Sequence, residues 1–135
     1  MEKTTLAKDL EICRILNGMW QVAGAHGQID SESAISDMKK YHEVGFTTWD
    51  LADIYGPAES LIGEFRRKVG KEEKFQALTK FVPNPGPMSN SIVTHHIEQS
   101  LKKMNTDCID LLQFHWWDYN DDSYLDALNH LSKLQ

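Results

Sequence analysis

The period of the apolar positions changes repeatedly along this chain. "ILNGMWQVAG" (15–24) is a short strand-like run that passes into a glycine-rich loop. "DSESAISDMKKYHEVG" (30–45) has helical spacing. Ile35, Met38 and Tyr41 share one face, Asp30 or Ser31 can cap the start, and Gly45 stops the run. "FTTWDLAD" (46–53) is rich in β-branched and aromatic residues and predicts a strand. "AESLIGEFRRKVG" (58–70) returns to helix, with Leu61, Ile62, Phe65 and Val69 as its stripe and basic residues late.

The alternation continues. "KFQALTKFVP" (74–83) predicts a strand ended by proline, followed by the breaker loop "NPGP" (84–87). "SNSIVTHHIEQSLKKMNT" (89–106) predicts a helix carrying Val93, Ile97, Leu101 and Met104 on one face. "CIDLLQFHWW" (108–117) is a nearly unbroken apolar run, as suits a parallel strand covered by helices. The last helix, 121–135, presents Tyr124, Leu125, Leu128 and Leu131. Four strand–helix units in succession predict a parallel α/β fold.

Composition narrows the class. The chain has 135 residues, 41% of them hydrophobic, which fits one domain spanning 1–135. No apolar run approaches the roughly 18 residues of a spanning helix, so no membrane role is expected. The charged start "MEKTTLAKDLEI" is unlike a secretory signal. Net charge is −6 with scattered basic residues, which argues against nucleic acid as a partner. Cys13 and Cys108 form no C-x-x-C and predict two reduced, buried thiols in a cytoplasmic protein.

Candidate chemistry gathers where the strands end. There is no G-x-G-x-x-G after the first strand and no phosphate-loop motif. Polar residues instead lie at the carboxyl ends: Trp20 and Gln21, then Asp50 and Tyr55, then Lys80, then His115. Barrels of the (β/α)₈ type build active sites there. Strand parity puts Thr48 and Asp50 on one side, with Gln76, Leu78 and Lys80, and with Leu111, Gln113 and His115. Trp49, Thr79, Phe81, Leu112 and Phe114 then face the helices. Asp50, Lys80 and His115 can converge on one mouth, with Tyr55 leaning over it. Asp53 falls out of this parity and is expected to structure the loop.

These residue types make sense together. A free phenol has a pKa near 10 and is a poor acid at neutral pH. An adjacent ammonium favours the phenolate, and a carboxylate holds that ammonium in place. A histidine can bind a carbonyl oxygen and direct it to the phenol. Such a set protonates a carbonyl oxygen as hydride reaches its carbon, typically worth about 10²–10⁴-fold in rate. No side chain supplies the hydride, so a cofactor is required. Each piece alone has a plainer reading. Tyr55 could be a partly buried aromatic, Lys80 a solvated strand end, His115 a satisfied core histidine and Asp50 a loop cap. His26, His42, His95, His96 and His130 read as helix surface, and no metal pattern is present.

The segments "GFTTWDLADIYGPAESLIG", "TK" at 79–80, "IDLLQFHWW" and "LNGMWQVAG" resemble the aldo-keto reductase family. The resemblance implies the N-terminal half of a (β/α)₈ TIM barrel and NADPH-dependent reduction of small aldehydes or ketones. It places the family's catalytic Asp, Tyr, Lys and His on Asp50, Tyr55, Lys80 and His115. It sets Gly18, Met19, Trp20 and Asp50 near the NADPH/NADP+ cofactor. Trp20, Tyr55, His115 and Trp116 are set against the substrate.

Length is the departure. Complete barrels of this type run to about 200 residues or more, and the family's second half carries most of the NADPH site. An incomplete barrel, inactive in isolation, is therefore expected: an incomplete gene model, a splice form or a truncated form. Half-barrels that associate, and a stable half-barrel with a binding role, are the other readings. Open sheet edges invite pairing with another copy, and Leu78, Leu111 and Gln113 on the inner face are expected to meet water. The competing function is a non-catalytic interaction or regulatory protein.

Overall fold

The computed structural model describes residues 1–24, 27, 29–70 and 72–135. A hairpin comes first: β1 (Lys3–Ala7) pairs antiparallel with β2 (Leu10–Cys13). Four strand–helix units follow. They are β3 (Asn17–Gly18) with α1 (Ser31–Glu43), and β4 (Thr48–Asp50) with α2 (Ala58–Val69). Then come β5 (Gln76–Phe81) with α3 (Asn90–Met104), and β6 (Leu111–Phe114) with α4 (Tyr124–Leu131).

Strand order settles the architecture. The sheet runs β3-β4-β5-β6, every pair parallel and every neighbour consecutive in sequence. A doubly wound sheet reverses its strand order at a switch point. Here there is no reversal, as in one arc of a (β/α)₈ barrel. Among the described residues no helix is long and apolar enough to cross a membrane.

The hairpin is the element the hydrophobic pattern does not predict. All five residues of β1 are exposed, so it leaves no apolar alternation to read. It sits at the amino-terminal end of the barrel strands. The Cys13 N–H donates to Thr48 Oγ1 at 2.8 Å, and the Met1 backbone lies beside Gly45. The hairpin thereby leaves the carboxyl ends of β3–β6 uncovered.

Local sequence explains the helices. Asp30 caps α1 by accepting from the Ser33 N–H at 2.8 Å, and Ser89 caps α3 through the Ile92 N–H. Asn105, in the left-handed region at φ 52°, ends α3. α2 crosses α3 at Gly63, where a Cβ would collide with the Lys103 carbonyl oxygen, so only glycine permits that approach.

The larger core lies between β4, β5, α1 and α2. Phe65 is fully buried there, against Trp49 at 5.9 Å and Phe75 at 5.2 Å between ring centroids. A second cluster joins Phe81, Met88, Val93, Trp116 and Ala127. Thr79 faces the helices as parity requires. Its hydroxyl donates to Glu59 Oε1 at 2.8 Å, and Lys103 completes that buried carboxylate's pairing at 3.4 Å.

Several expectations need correction. Tyr41, Leu125 and Leu128 are exposed, because α1 turns only Ile35 and Met38 inward and α4 turns Ala127 inward. Leu78 is buried rather than wet, flanked in register by Asp50 and Leu111. Cys13 is buried but Cys108 is exposed, and both thiols are free. Burial pushes the Cys13 thiol up in pKa, but hydrogen bonds from Thr47 and Thr48 outweigh it and hold it below the usual range. His42 is not helix surface: its side chain is 11% exposed, wedged edge-on to Phe65 and Phe75, with Nε2 3.0 Å from Glu73. His130 is half-buried, whereas His95 and His96 are exposed. His26 lies outside the described residues.

Candidate active site

Backbone hydrogen bonds stitch the carboxyl ends of all four parallel strands together. The Met19 N–H donates to the Asp50 carbonyl at 2.8 Å, Leu51 N–H to Leu78 at 2.9 Å, and Asp53 N–H to Lys80 at 3.0 Å. The His115 N–H donates to the Phe81 carbonyl at 2.9 Å. The Asp53 carboxylate accepts from the Val82 N–H with both oxygens, at 3.2 and 3.1 Å. It therefore ties the loop after β4 to the end of β5, the structuring role expected of it. Burial raises its pKa, and the Val82 bond only partly offsets this.

The loop then doubles back. The Tyr55 N–H donates to Ala52 and the Ala58 N–H to Tyr55, each at 3.0 Å. Gly56 has φ +49°, and a Cβ on it would press to 3.0 Å from the Ala23 carbonyl oxygen. This turn swings the Tyr55 ring over the sheet end. Its centroid lies 5.0 Å from Lys80 Nζ and 5.0 Å from the Trp20 ring, which meets it edge-on at 71°.

Lys80 is the centre of the cluster. Its ammonium donates to Asp50 Oδ1 and to the Leu51 carbonyl, both at 2.8 Å. The Lys80 and Asp50 side chains are 17% and 30% exposed, so the pair is sheltered but reachable from solvent. A charge-assisted bond of this length is strong. An ammonium within about 6 Å of an aromatic face is attracted to it. Gln113 Nε2 also donates to Asp50 Oδ1, at 3.3 Å.

The other sequence-predicted residues divide. Gly18 is exposed at the end of β3, paired in register with Asp50, and Trp20 is 48% exposed beside Tyr55. His115 is exposed at the end of β6, its ring 6.1 Å from that of Trp117, with no side-chain hydrogen bond among the described residues. Two residues are not brought to the mouth. The Met19 side chain is buried in the larger core. Trp116 is buried in the helix-side cluster, its indole N–H donating to the carbonyls of Asp118 and Asp121. Parity explains Trp116: with His115 inward, the next residue must point outward, and the exposed indole is Trp117.

Comparison with known proteins fits this arrangement. The family model described as "Aldo/keto reductase family" matches residues 14–135. The chain belongs to the aldo/keto reductase family. Its curated relatives include a 6-dehydroglucose reductase of Agrobacterium fabrum, 32% identical, with the match covering 85% of this chain and 43% of that protein. Another is the aldo-keto reductase YhdN of Bacillus subtilis, 31% identical over 87% of this chain and 39% of that protein. Among solved structures, a thermostable aldo-keto reductase, Tm1743, superposes with a TM-score of 0.79 at 23% identity. It is matched over 98% of this chain and 49% of its own. The chain thus spans about two fifths of those curated aldo-keto reductases and about half of the solved barrel.

Sequence reasoning missed three groups that lie at or beside this cluster. Gln113 had a signal, since parity turned it inward beside Lys80. The Leu51 carbonyl had none, because a backbone acceptor depends on the loop path. Trp117 was masked by its neighbour in the "HWW" run.

Proposed function

We propose that this chain supplies the proton-transfer half of an NADPH-dependent carbonyl reductase. The proposed reaction converts an aldehyde or ketone to an alcohol. The observation that carries this reading is the Lys80 ammonium, held by Asp50 and Leu51 beneath the Tyr55 ring. Tyr55 is the proposed proton donor, with the Lys80 ammonium beside its ring and Asp50 holding that ammonium in place. His115, exposed at the end of β6, is proposed to bind the carbonyl oxygen. The proton leaves Tyr55 Oη for that oxygen as the carbonyl carbon accepts hydride.

The residues present fit part of the cofactor. A Cβ on Gly18 would meet nothing nearer than Gln21 Oε1 at 3.9 Å, so the backbone there is open to a flat ring. Gly18 and Asp50 would hold the nicotinamide end, and NADPH, when bound, supplies the hydride. Trp20 and Trp117, both exposed, are the proposed aromatic walls for substrate. The rest of the NADPH site is proposed to belong to four further strand–helix units, so the 135-residue chain alone should not turn over. Its free edges at β3 and β6 are proposed to favour self-association. The site is proposed to work in the cytoplasm.

A groove of about 540 Å³ between α3, β6 and α4, lined by Leu112, Phe114, Leu128 and Leu131, favours a second reading as an interaction module. NADPH titration with tryptophan fluorescence separates the two. The reductase reading expects no quenching by the 135-residue chain. It expects quenching and aldehyde-dependent NADPH loss once the barrel is completed with the C-terminal half of an aldo-keto reductase such as Tm1743. A folded, completed barrel that binds NADPH and reduces no aldehyde or ketone would overturn it.

A further inference from the structure

We infer that Gln113 is a positioning residue for the Asp50–Lys80 pair, an inference that rests on the carbonyl-reductase reading. Gln113 stands directly opposite Lys80 in the β5–β6 register, and both point to the inner face. Its amide reaches across β5 to Asp50 on β4, so three strands meet at one oxygen. Asp50 Oδ1 accepts from Lys80 Nζ at 2.8 Å and from Gln113 Nε2 at 3.3 Å. Asp50 Oδ2 accepts no hydrogen bond among the described residues.

Two donors converging on one oxygen fix the rotation of the carboxylate. Lys80, itself anchored at the Leu51 carbonyl, holds Oδ1 in place but leaves the carboxylate free to rotate about that contact. The second donor comes from a separate strand and makes the orientation unique. The residue type suits the task. An amide donates without adding charge, so it does not compete with Lys80 for the carboxylate's charge. A lysine there would compete, and a leucine would leave the partly exposed Asp50 free to turn toward water. Asp50 and Lys80 are the charged groups that face the Gln113 amide. The consequence is that an oriented Asp50 joins the Leu51 carbonyl in holding Lys80 Nζ beside the Tyr55 ring.

The test compares Gln113→Met, which keeps the side chain's length but loses the donor, with Gln113→Glu, which keeps the shape but cannot donate when ionised. The readout is the 15N-detected ammonium signal of Lys80 in the 135-residue chain, with Leu112 and Phe114 amide signals as a fold control. Gln113→Met should shift and broaden the Lys80 signal. Gln113→Glu should do so more strongly at pH 7, where its ionised carboxylate cannot donate to Asp50 and repels it. In a completed barrel, Gln113→Met should lower kcat about tenfold with KM little changed. If both variants leave the Lys80 signal unchanged, the inference fails. If the Lys80 signal responds as expected but every completed barrel is inactive, the carbonyl-reductase reading fails and the positioning role stands. If a variant chain loses its amide dispersion, the completed barrel's kcat-against-KM split decides, and a change confined to KM overturns the inference.

Discussion

The central strands β4 and β5 and the flank of β6 and α4 come from similarly apolar sequence, yet they pack differently. In the centre, Trp49, Ala77, Leu78, Thr79 and Phe81 are all buried, and Phe65 of α2 is fully enclosed. On the flank every residue of β6 is only half-buried, while Leu125 and Leu128 of α4 are 56% and 45% exposed. The difference is neighbours. Each central strand has a partner on both sides and two helices above it, whereas β6 has one sheet partner among the described residues. Apolar sequence provides the driving force for burial, and topology decides whether a surface exists to receive it.

The contrast breaks most visibly at Phe65. Phe65→Ala should cost about 3–5 kcal/mol in chemical denaturation, because the Trp49–Phe65–Phe75 stack leaves nothing mobile to refill the space. Gly63→Ala should come next, at about 1–3 kcal/mol, since the added methyl collides with backbone at Lys103 rather than with a side chain that can move. A loss at Phe65 no larger than at a surface residue would remove the distinction between centre and flank.

Asp53 sharpens the comparison through pH. Its pKa is raised in the folded chain, chiefly by burial. The folded state therefore binds this proton more tightly than the unfolded state, whose carboxyl titrates near 3.9. Its contribution to stability is full below about pH 3.9 and is lost as pH rises through the folded value. Asp53→Asn should remove that slope. Melting temperatures at pH 4 and pH 7 should show the variant gaining on the parent at the higher pH, and a pH-independent difference would contradict the burial at this loop.

The smallest effect belongs to the flank. Leu128→Ala should change monomer stability by no more than about 0.5 kcal/mol. Sedimentation should show the proposed self-association of the 135-residue chain unchanged by Leu128→Ala, since it is assigned to the free edges of β3 and β6. A Leu128→Ala cost matching that of Phe65→Ala would mean the flank is as enclosed as the centre.

What could be read from sequence follows the same divide. The four strand–helix units were legible because their helices carry 3.6-residue stripes and their strands pack on covered faces. Parity then brought Asp50, Lys80 and Gln113 to one side, as found. The hairpin was not legible, since an exposed strand leaves no hydrophobic trace. Leu125 and Leu128 misled because apolar spacing marks a face without saying whether that face has a partner. Trp116 was assigned by resemblance against what parity required, and its burial follows the parity. Leu78 shows the reverse: neighbouring inward side chains on β4 and β6 shelter a residue that strand counting alone leaves wet.

The central claim is that Tyr55 gives up the proton over the Lys80–Asp50 pair. The most direct test is Tyr55→Phe in a completed barrel, following aldehyde-dependent NADPH oxidation alongside NADPH binding. The account predicts that reduction is abolished while binding is unchanged. Full reduction by the phenylalanine variant would contradict it.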